Sequence, residues 1–257
     1  MIDLIDKKMK DNFSGHAADY ARYRPTYPQE LIAYLAGIAP AQHLAWDCAT
    51  GNGQVAGMLA SLFDQVVATD ISENQLKSAV QLPNISYKVE QAEKSSLTDQ
   101  SVDLIVVAQA VHWFNFERFY QEVKRVLKPN GLIAVIGYGL LTTHPALDKV
   151  IKHFYSEVLN GYWDPERSYL DEGYRTIPFP FQEEEVPQFS SSYTWTPDDL
   201  IGYLNTWSAV KHYEKQQGHN PVQLVEQQIR EAFEGETTTV TFDILTRVGK
   251  LPNSQTF

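Results

Sequence analysis

Cysteine is nearly absent from this chain of 257 residues: Cys48 stands alone, so no internal disulfide can form. A lone thiol suits a reducing cytoplasm, and its place inside an apolar run reads as buried packing rather than as a nucleophile. Basic residues are few, 21 Lys and Arg against 32 Asp and Glu, for a formal charge of −11. That balance argues against a nucleic-acid backbone or an anionic membrane surface as the main partner. No stretch approaches the roughly 18 uninterrupted apolar residues of a membrane span. Met1-Ile-Asp-Leu-Ile-Asp-Lys-Lys also lacks the apolar segment of a secretion signal. The seven histidines show no H-E-x-x-H or other ligand spacing, so no metal is expected. Repeats and low-complexity tracts are missing too. The length suffices for one large α/β domain with a cap, or for two small domains.

What is present concentrates between residues 44 and 70. Leu44-Ala-Trp-Asp-Cys-Ala-Thr-Gly-Asn-Gly-Gln-Val-Ala56 reads as an apolar strand, a glycine-bearing turn and the start of a helix. Val66-Val-Ala-Thr-Asp70 is a second strand ending in a carboxylate. The layout puts Asp47 and Asp70 at neighbouring strand mouths, where open parallel sheets collect their ligands. Gly51-x-Gly53-x-x-Ala56 also satisfies the dinucleotide pattern G-x-G-x-x-G/A, so the loop alone leaves the cofactor open. A pyrophosphate at the helix amides would be repelled by Asp47, and no Lys or Arg occurs between Arg24 and Lys77. S-adenosylmethionine carries no phosphate, and its ammonium and sulfonium tolerate an acidic rim.

With those residues in view, the segment Asp47-x-Ala49-x-Gly51-x-Gly53 resembles the first motif of class I methyltransferases, with alanine in place of the first glycine. The turn at Ala49 is therefore expected to keep a negative φ or to carry strain. Asp70 resembles the acidic residue that takes both ribose hydroxyls, and Gln91-Ala92-Glu93 the segment that frames the adenine. Val102 to Phe114 resembles the fourth strand and its exit, and Val126 to Ile136 the turn into the fifth. The likeness runs from about residue 12 to about 139. It implies S-adenosyl-L-methionine as cofactor, with Gln54 and Ile71 beside Gly53 and Asp70 as further contacts. Gln109 and Ala110 would face the methionine moiety. In the arm before the first core helix, Tyr20 and Arg24, or Arg22 in its place, would meet the cofactor's carboxylate. His112, Trp113 and Tyr138 are the candidates for the acceptor side, with Tyr169, Trp163, Trp195, Tyr203 and Trp207 either roofing the site or forming a cap's own core.

The remaining pattern supports an α/β reading. Thr26-Tyr-Pro28-Gln29 opens a helix with a capping pair, Ser72-x-x-Gln75 has the capping-box form, and Ile85 to Val89 is a strand. Phe116, Phe119, Tyr120, Val123, Val126 and Leu127 share one helical face, which Pro129-Asn-Gly131 ends. Beyond Tyr138 come a helix over 144–159, an irregular cap from Gly161 to Pro187, a strand from Phe189 to Thr194, a helix opened by Thr196-Pro197 and running through Trp207, another from Pro221 to Phe233, and a closing strand from Thr237 to Val248. Glu183-Glu-Glu185 reads as a solvated charge run.

The expected fold is one Rossmann-like α/β domain over 1–257 with a seven-stranded sheet and an α-helical cap. Its parts are an N-terminal arm over the cofactor (1–27), a cofactor-binding core (28–139), a cap with strand six (140–236) and a closing antiparallel strand (237–250). The resemblance extends to methyltransferases of the trans-aconitate type, which esterify small carboxylic acids; the Ala-x-His-Trp-Phe turn and the arginine- and tyrosine-rich arm carry it. A carboxylate is ionised near neutral pH and needs no general base, and the sequence shows no base–orienter pair. The rivals are an O- or N-methyltransferase of another small metabolite, a nicotinamide oxidoreductase, and a non-catalytic S-adenosylmethionine-binding protein. Oligomeric state is not legible.

Overall fold

The computed structural model describes residues 23–252. A first helix, α1 (Gln29–Ile38), leads into β1 (Leu44–Cys48), α2 (Gln54–Leu59), β2 (Gln65–Asp70), α3 (Glu73–Lys77) and β3 (Ile85–Val89). Then come β4 (Val102–Ala108), a 3₁₀ turn over Val111–Trp113, α4 (Phe116–Val126) and β5 (Leu127–Tyr138). The strands stand in the order β3-β2-β1-β4-β5, all parallel, so the chain reverses direction across the sheet between β1 and β4. That reversal opens a crevice at the carboxyl ends of the strands.

β4 shows why the sheet is central. Leu104 and Val106 pack into one apolar layer with Leu31, Ile32 and Leu35 of α1, whereas Ile105 and Val107 pack into the other with Phe119 and Val123 of α4. All are fully buried, as a parallel strand covered on both faces requires. The one charge inside it, Asp103, is held by Lys128 at 2.7 Å and by the Leu44 amide at 3.0 Å. α4 ends at Val126 and the strand begins at once. β5 then takes extra residues at Lys128–Gly131, where its register against β4 shifts.

The second half builds the cap and closes the sheet. It contains α5 (Pro145–His153) continued by a π turn (Phe154–Val158), a 3₁₀ turn (Pro165–Arg167), α6 (Ser168–Asp171), β6 (Gln182–Glu184), β7 (Ser190–Trp195), α7 (Pro197–Asn205), α8 (Ser208–Gln217), a 3₁₀ turn (Pro221–Leu224), α9 (Glu226–Ala232) and β8 (Thr238–Lys250). β8 runs antiparallel to β5, and β6 and β7 both pair with β8. The sheet therefore has eight strands where seven were expected. The strand expected over 189–194 is β7, and the extra one is β6, inside the segment expected as an irregular cap: Gln182 opposes Lys250 and Ser190 opposes Asp243, a nearly continuous register broken around Pro187, which has no amide hydrogen to give.

Three local expectations need correction. Pro28 caps α1 without a side-chain bond, so no capping pair forms there. Glu183 and Glu184 are not a free charge run: they lie in β6, paired with Arg247 at 2.5 Å and Lys250 at 2.9 Å. Trp207 falls outside α7 and caps α8, a helix the pattern did not announce. Thr196 and Asp199 do form a full capping box at the start of α7.

Candidate active site

A cavity of about 240 Å³ opens at the carboxyl ends of β1, β2 and β4. β1 delivers Asp47 to its floor, buried between Ala68 of β2 and Val106 of β4 in register. Asp47 Oδ2 accepts from the Thr50 hydroxyl at 2.5 Å, while Oδ1 is buried without a partner at full hydrogen-bonding geometry. Burial pushes the Asp47 carboxyl up to about 7, against the opposing pull of the Thr50 hydroxyl and the Ala56 amide; the nearby Asp70 charge pushes the same way as burial.

The turn after β1 is shaped by left-handed residues. Ala49 has φ 58° and Gly51 φ 56°, so of the two alternatives for Ala49 the strained one holds. A side chain on Gly51 would meet nothing within 4 Å, because the backbone there borders the cavity. Asp70 stands opposite: Oδ2 accepts from the Gly51 amide at 2.9 Å and Oδ1 from the Ser72 amide at 2.8 Å. The carboxylate ties the glycine turn to the start of α3, whose cap is Ser72. At the exit of β4, Gln109 is again left-handed, φ 54°, and its amide nitrogen donates to the Tyr138 carbonyl at 2.9 Å.

Most of the expected residues meet at this cavity: Arg24, Asp47, Ala49, Gly51, Gln54, Asp70, Ile71, Ala92, Glu93, Gln109, Ala110, Trp113 and Tyr138 line it. Tyr20 lies outside the described residues. Two do not reach the wall. Gly53 is buried under β3: a Cβ there would stand 2.5 Å from the Tyr87 hydroxyl, so this glycine serves packing and a left-handed helix cap. His112 turns away from the cavity and bonds the Tyr174 hydroxyl through Nδ1 at 3.2 Å. Burial drives its imidazole down to about 3. Of the cap aromatics, Tyr203 and Trp207 pack against Phe154, Trp163 and Phe242, in the same apolar layer as Leu31 and Leu104.

Sequence reasoning passed over Tyr27, Thr50, Glu90, Phe114 and Glu166, which also line the cavity. Thr50 lay inside the motif and was readable as a hydroxyl beside Asp47. Glu166, from the cap's 3₁₀ turn, carried no signal. Among the described residues the wall holds five carboxylates, those of Asp47, Asp70, Glu90, Glu93 and Glu166, and one basic group, Arg24.

An open α/β sheet with a glycine turn and an acidic cavity at its switch point defines a nucleoside-cofactor enzyme. Comparison with known proteins resolves the class further. A methyltransferase domain family matches residues 46–135. A Dictyostelium discoideum protein named as a candidate methyltransferase is 35% identical, with 81% of each chain aligned. An uncharacterised methyltransferase of Mycobacterium tuberculosis is 32% identical over 76% of each chain. The solved structure of a candidate type II methyltransferase from Anaeromyxobacter dehalogenans superposes with a TM-score of 0.84 at 38% identity, covering 90% of this chain and all of that one. The chain belongs to the class I S-adenosylmethionine-dependent methyltransferases, and it is an enzyme. No helix among the described residues is long and apolar enough to cross a membrane, and none of their acidic, histidine and cysteine side chains cluster as metal ligands.

Proposed function

We propose that the enzyme methylates a small-molecule carboxylate, forming a methyl ester, and that the whole chain works as one domain whose core holds the cofactor and whose cap meets the acceptor. S-adenosylmethionine, when bound, supplies an electrophilic methyl group on a sulfonium. The residues fit it: the buried, unsatisfied Oδ1 of Asp47 calls for a donor or a cation in the cavity. Gly51 leaves the backbone bare where a ligand must approach. Asp70 accepts from the Gly51 and Ser72 amides at the cavity edge, a carboxylate of the kind that takes ribose hydroxyls. Ile71 is exposed at the cavity edge beside Ala92 and Glu93, an apolar and polar pair of walls for an adenine. Arg24, which lines the cavity and also donates to the Thr206 carbonyl at 3.0 Å, is the proposed partner of the methionine carboxylate, with Tyr20 as its proposed companion.

The observation that carries the acceptor class is that, among the described residues, no histidine and no lysine lines the cavity. His112, just past the exit of β4, is turned into the protein and held neutral by burial. A displacement at a methyl carbon then depends on alignment and exclusion of water, with Gln109, Ala110, Trp113 and Tyr138 forming the proposed positioning surface. A carboxylate acceptor arrives ionised and needs no base from the wall. A second reading, transfer to a hydroxyl or amine, is favoured by Glu166, a carboxylate on the cap side that could take a proton. Incubation of the enzyme with methyl-labelled cofactor and metabolite fractions, followed by mild alkali, separates the two. Esters release labelled methanol, whereas ethers and amines retain the label; retained label overturns the carboxylate reading.

A further inference from the structure

His112 and Tyr174 are both buried and both outside the cavity wall, yet the residues flanking them in sequence or space reach it. Their rings stack with centroids 6.0 Å apart and 29° between planes, in addition to the 3.2 Å hydrogen bond. Tyr174 is held in a left-handed conformation, φ 59°, which a tyrosine adopts only where its surroundings impose it. Three contacts impose it. The Tyr174 ring fills the space over Gly137 of β5, where a Cβ would stand 2.7 Å from its Cε2. The Tyr174 amide donates to the Tyr169 carbonyl at 2.7 Å. Arg247 of β8 donates to the carbonyls of Tyr174 and Ile177 at 3.0 and 2.9 Å. The next residue after His112 is Trp113, whose ring lies 4.8 Å from the imidazole and which faces the cavity. Upstream on the cap segment is Glu166, which faces it too.

We propose that His112 and Tyr174 are positioning residues: their buried contact fastens the cap segment 165–177 across the exit of β4 and so fixes Trp113 and Glu166 in the wall on the acceptor side. The inference rests on the reading of that wall given above. It also gives the strained tyrosine a purpose, since a cap that merely covered the sheet could relax through a glycine at 174. Strain retained by a surrounding scaffold is the usual mark of a position whose geometry matters.

The test uses the full chain, S-adenosylhomocysteine as ligand, and the emission of Trp113 as reporter, defined by difference from a Trp113→Phe variant. The comparison set is Tyr174→Phe, which removes one hydroxyl, His112→Leu, and His112→Asn, which keeps a polar atom near the Nδ1 position. In the wild type, ligand binding shifts the Trp113 emission. In Tyr174→Phe and His112→Leu, ligand affinity stays within about threefold, because the Asp47, Gly51 and Asp70 contacts are intact. Acrylamide quenching of Trp113 in those two variants rises severalfold and the ligand-induced shift is lost. His112→Asn restores most of the wild-type signature. A Tyr174→Phe enzyme with unchanged Trp113 quenching and shift overturns the latch, as does a loss in His112→Asn equal to that in His112→Leu. No Trp113 response in the wild type, with ligand demonstrably bound, overturns the underlying assignment of the wall instead.

Discussion

Asp47 should make this enzyme less stable as pH rises through the neutral range, which is the reverse of what most carboxylates do. Its carboxyl is moved from an ordinary 3.8 to about 7, chiefly by burial, so the folded protein holds a proton that the unfolded chain has released. The sign follows from linkage: between the two values the folded state binds more protons, and stability falls with increasing pH. At 1.36 kcal/mol per pH unit, the full cost of keeping the charge buried is about 4 kcal/mol, reached near pH 8. At pH 5 the cost is under half of that, so about 2.5 kcal/mol is lost between pH 5 and pH 8. Asp47→Asn removes the titration and can still accept from the Thr50 hydroxyl. Urea unfolding of both proteins without ligand, from pH 5 to 8, measures the effect. The variant should be the more stable at pH 8, and its advantage should shrink by about 2.5 kcal/mol at pH 5. The same variant should bind S-adenosylmethionine at least tenfold more weakly, because it offers no charge to a cationic ligand; wild-type affinity should rise from pH 6 to 8 as the carboxylate forms. A wild-type stability that is flat or rising over this range, relative to the variant, refutes the reasoning.

Four other outcomes follow from the geometry. Asp70→Asn replaces an oxygen that accepts from the Gly51 or Ser72 amide, so calorimetry should find S-adenosylhomocysteine bound ten- to a hundredfold more weakly, a loss of about 1.5–3 kcal/mol. Ala49→Gly relieves a left-handed alanine and should raise the melting temperature, by about 1 kcal/mol of stability, with ligand affinity unchanged. Gly53→Ala should destabilise the fold by about 1–3 kcal/mol, and adding Tyr87→Phe should recover part of it, because the phenolic oxygen is the atom in the way. Glu166→Gln separates the two acceptor readings: ester formation should keep its kcat, whereas transfer to a protonated acceptor should lose about a hundredfold, read by label transfer.

The parts of the molecule that were legible beforehand are those whose signal is local. β3 occupies Ile85–Val89 as its alternation and flanking turns indicated, and Asp47, Gly51 and Asp70 converge because strand, turn and strand are consecutive in the chain. What was not legible depends on partners distant in sequence. Gly53 satisfied a motif spacing, but its neighbour is Tyr87 on another strand. His112 pointed to a strand exit, yet its orientation is set by Tyr174, 62 residues away. The Glu183–Glu184 run became a strand because Arg247 and Lys250 lie opposite it on β8, a pairing no window of local residues contains.

A buried acid at 47 and left-handed side chains at 49 and 109 border the cavity, whereas Gln100, also left-handed, does not. None is required by the sheet, whose strands are paired and whose layers are filled without them. A tyrosine in the same left-handed state, at 174, lies one contact behind that wall. Local rules fail here because the backbone at the carboxyl edge is arranged for a ligand rather than for its own comfort, and the packed layers of β4 and α4 supply the stability that permits it. A chain selected for stability alone would put an amide at 47. That this one keeps a carboxylate there is the physical argument that the acidic floor is held for binding.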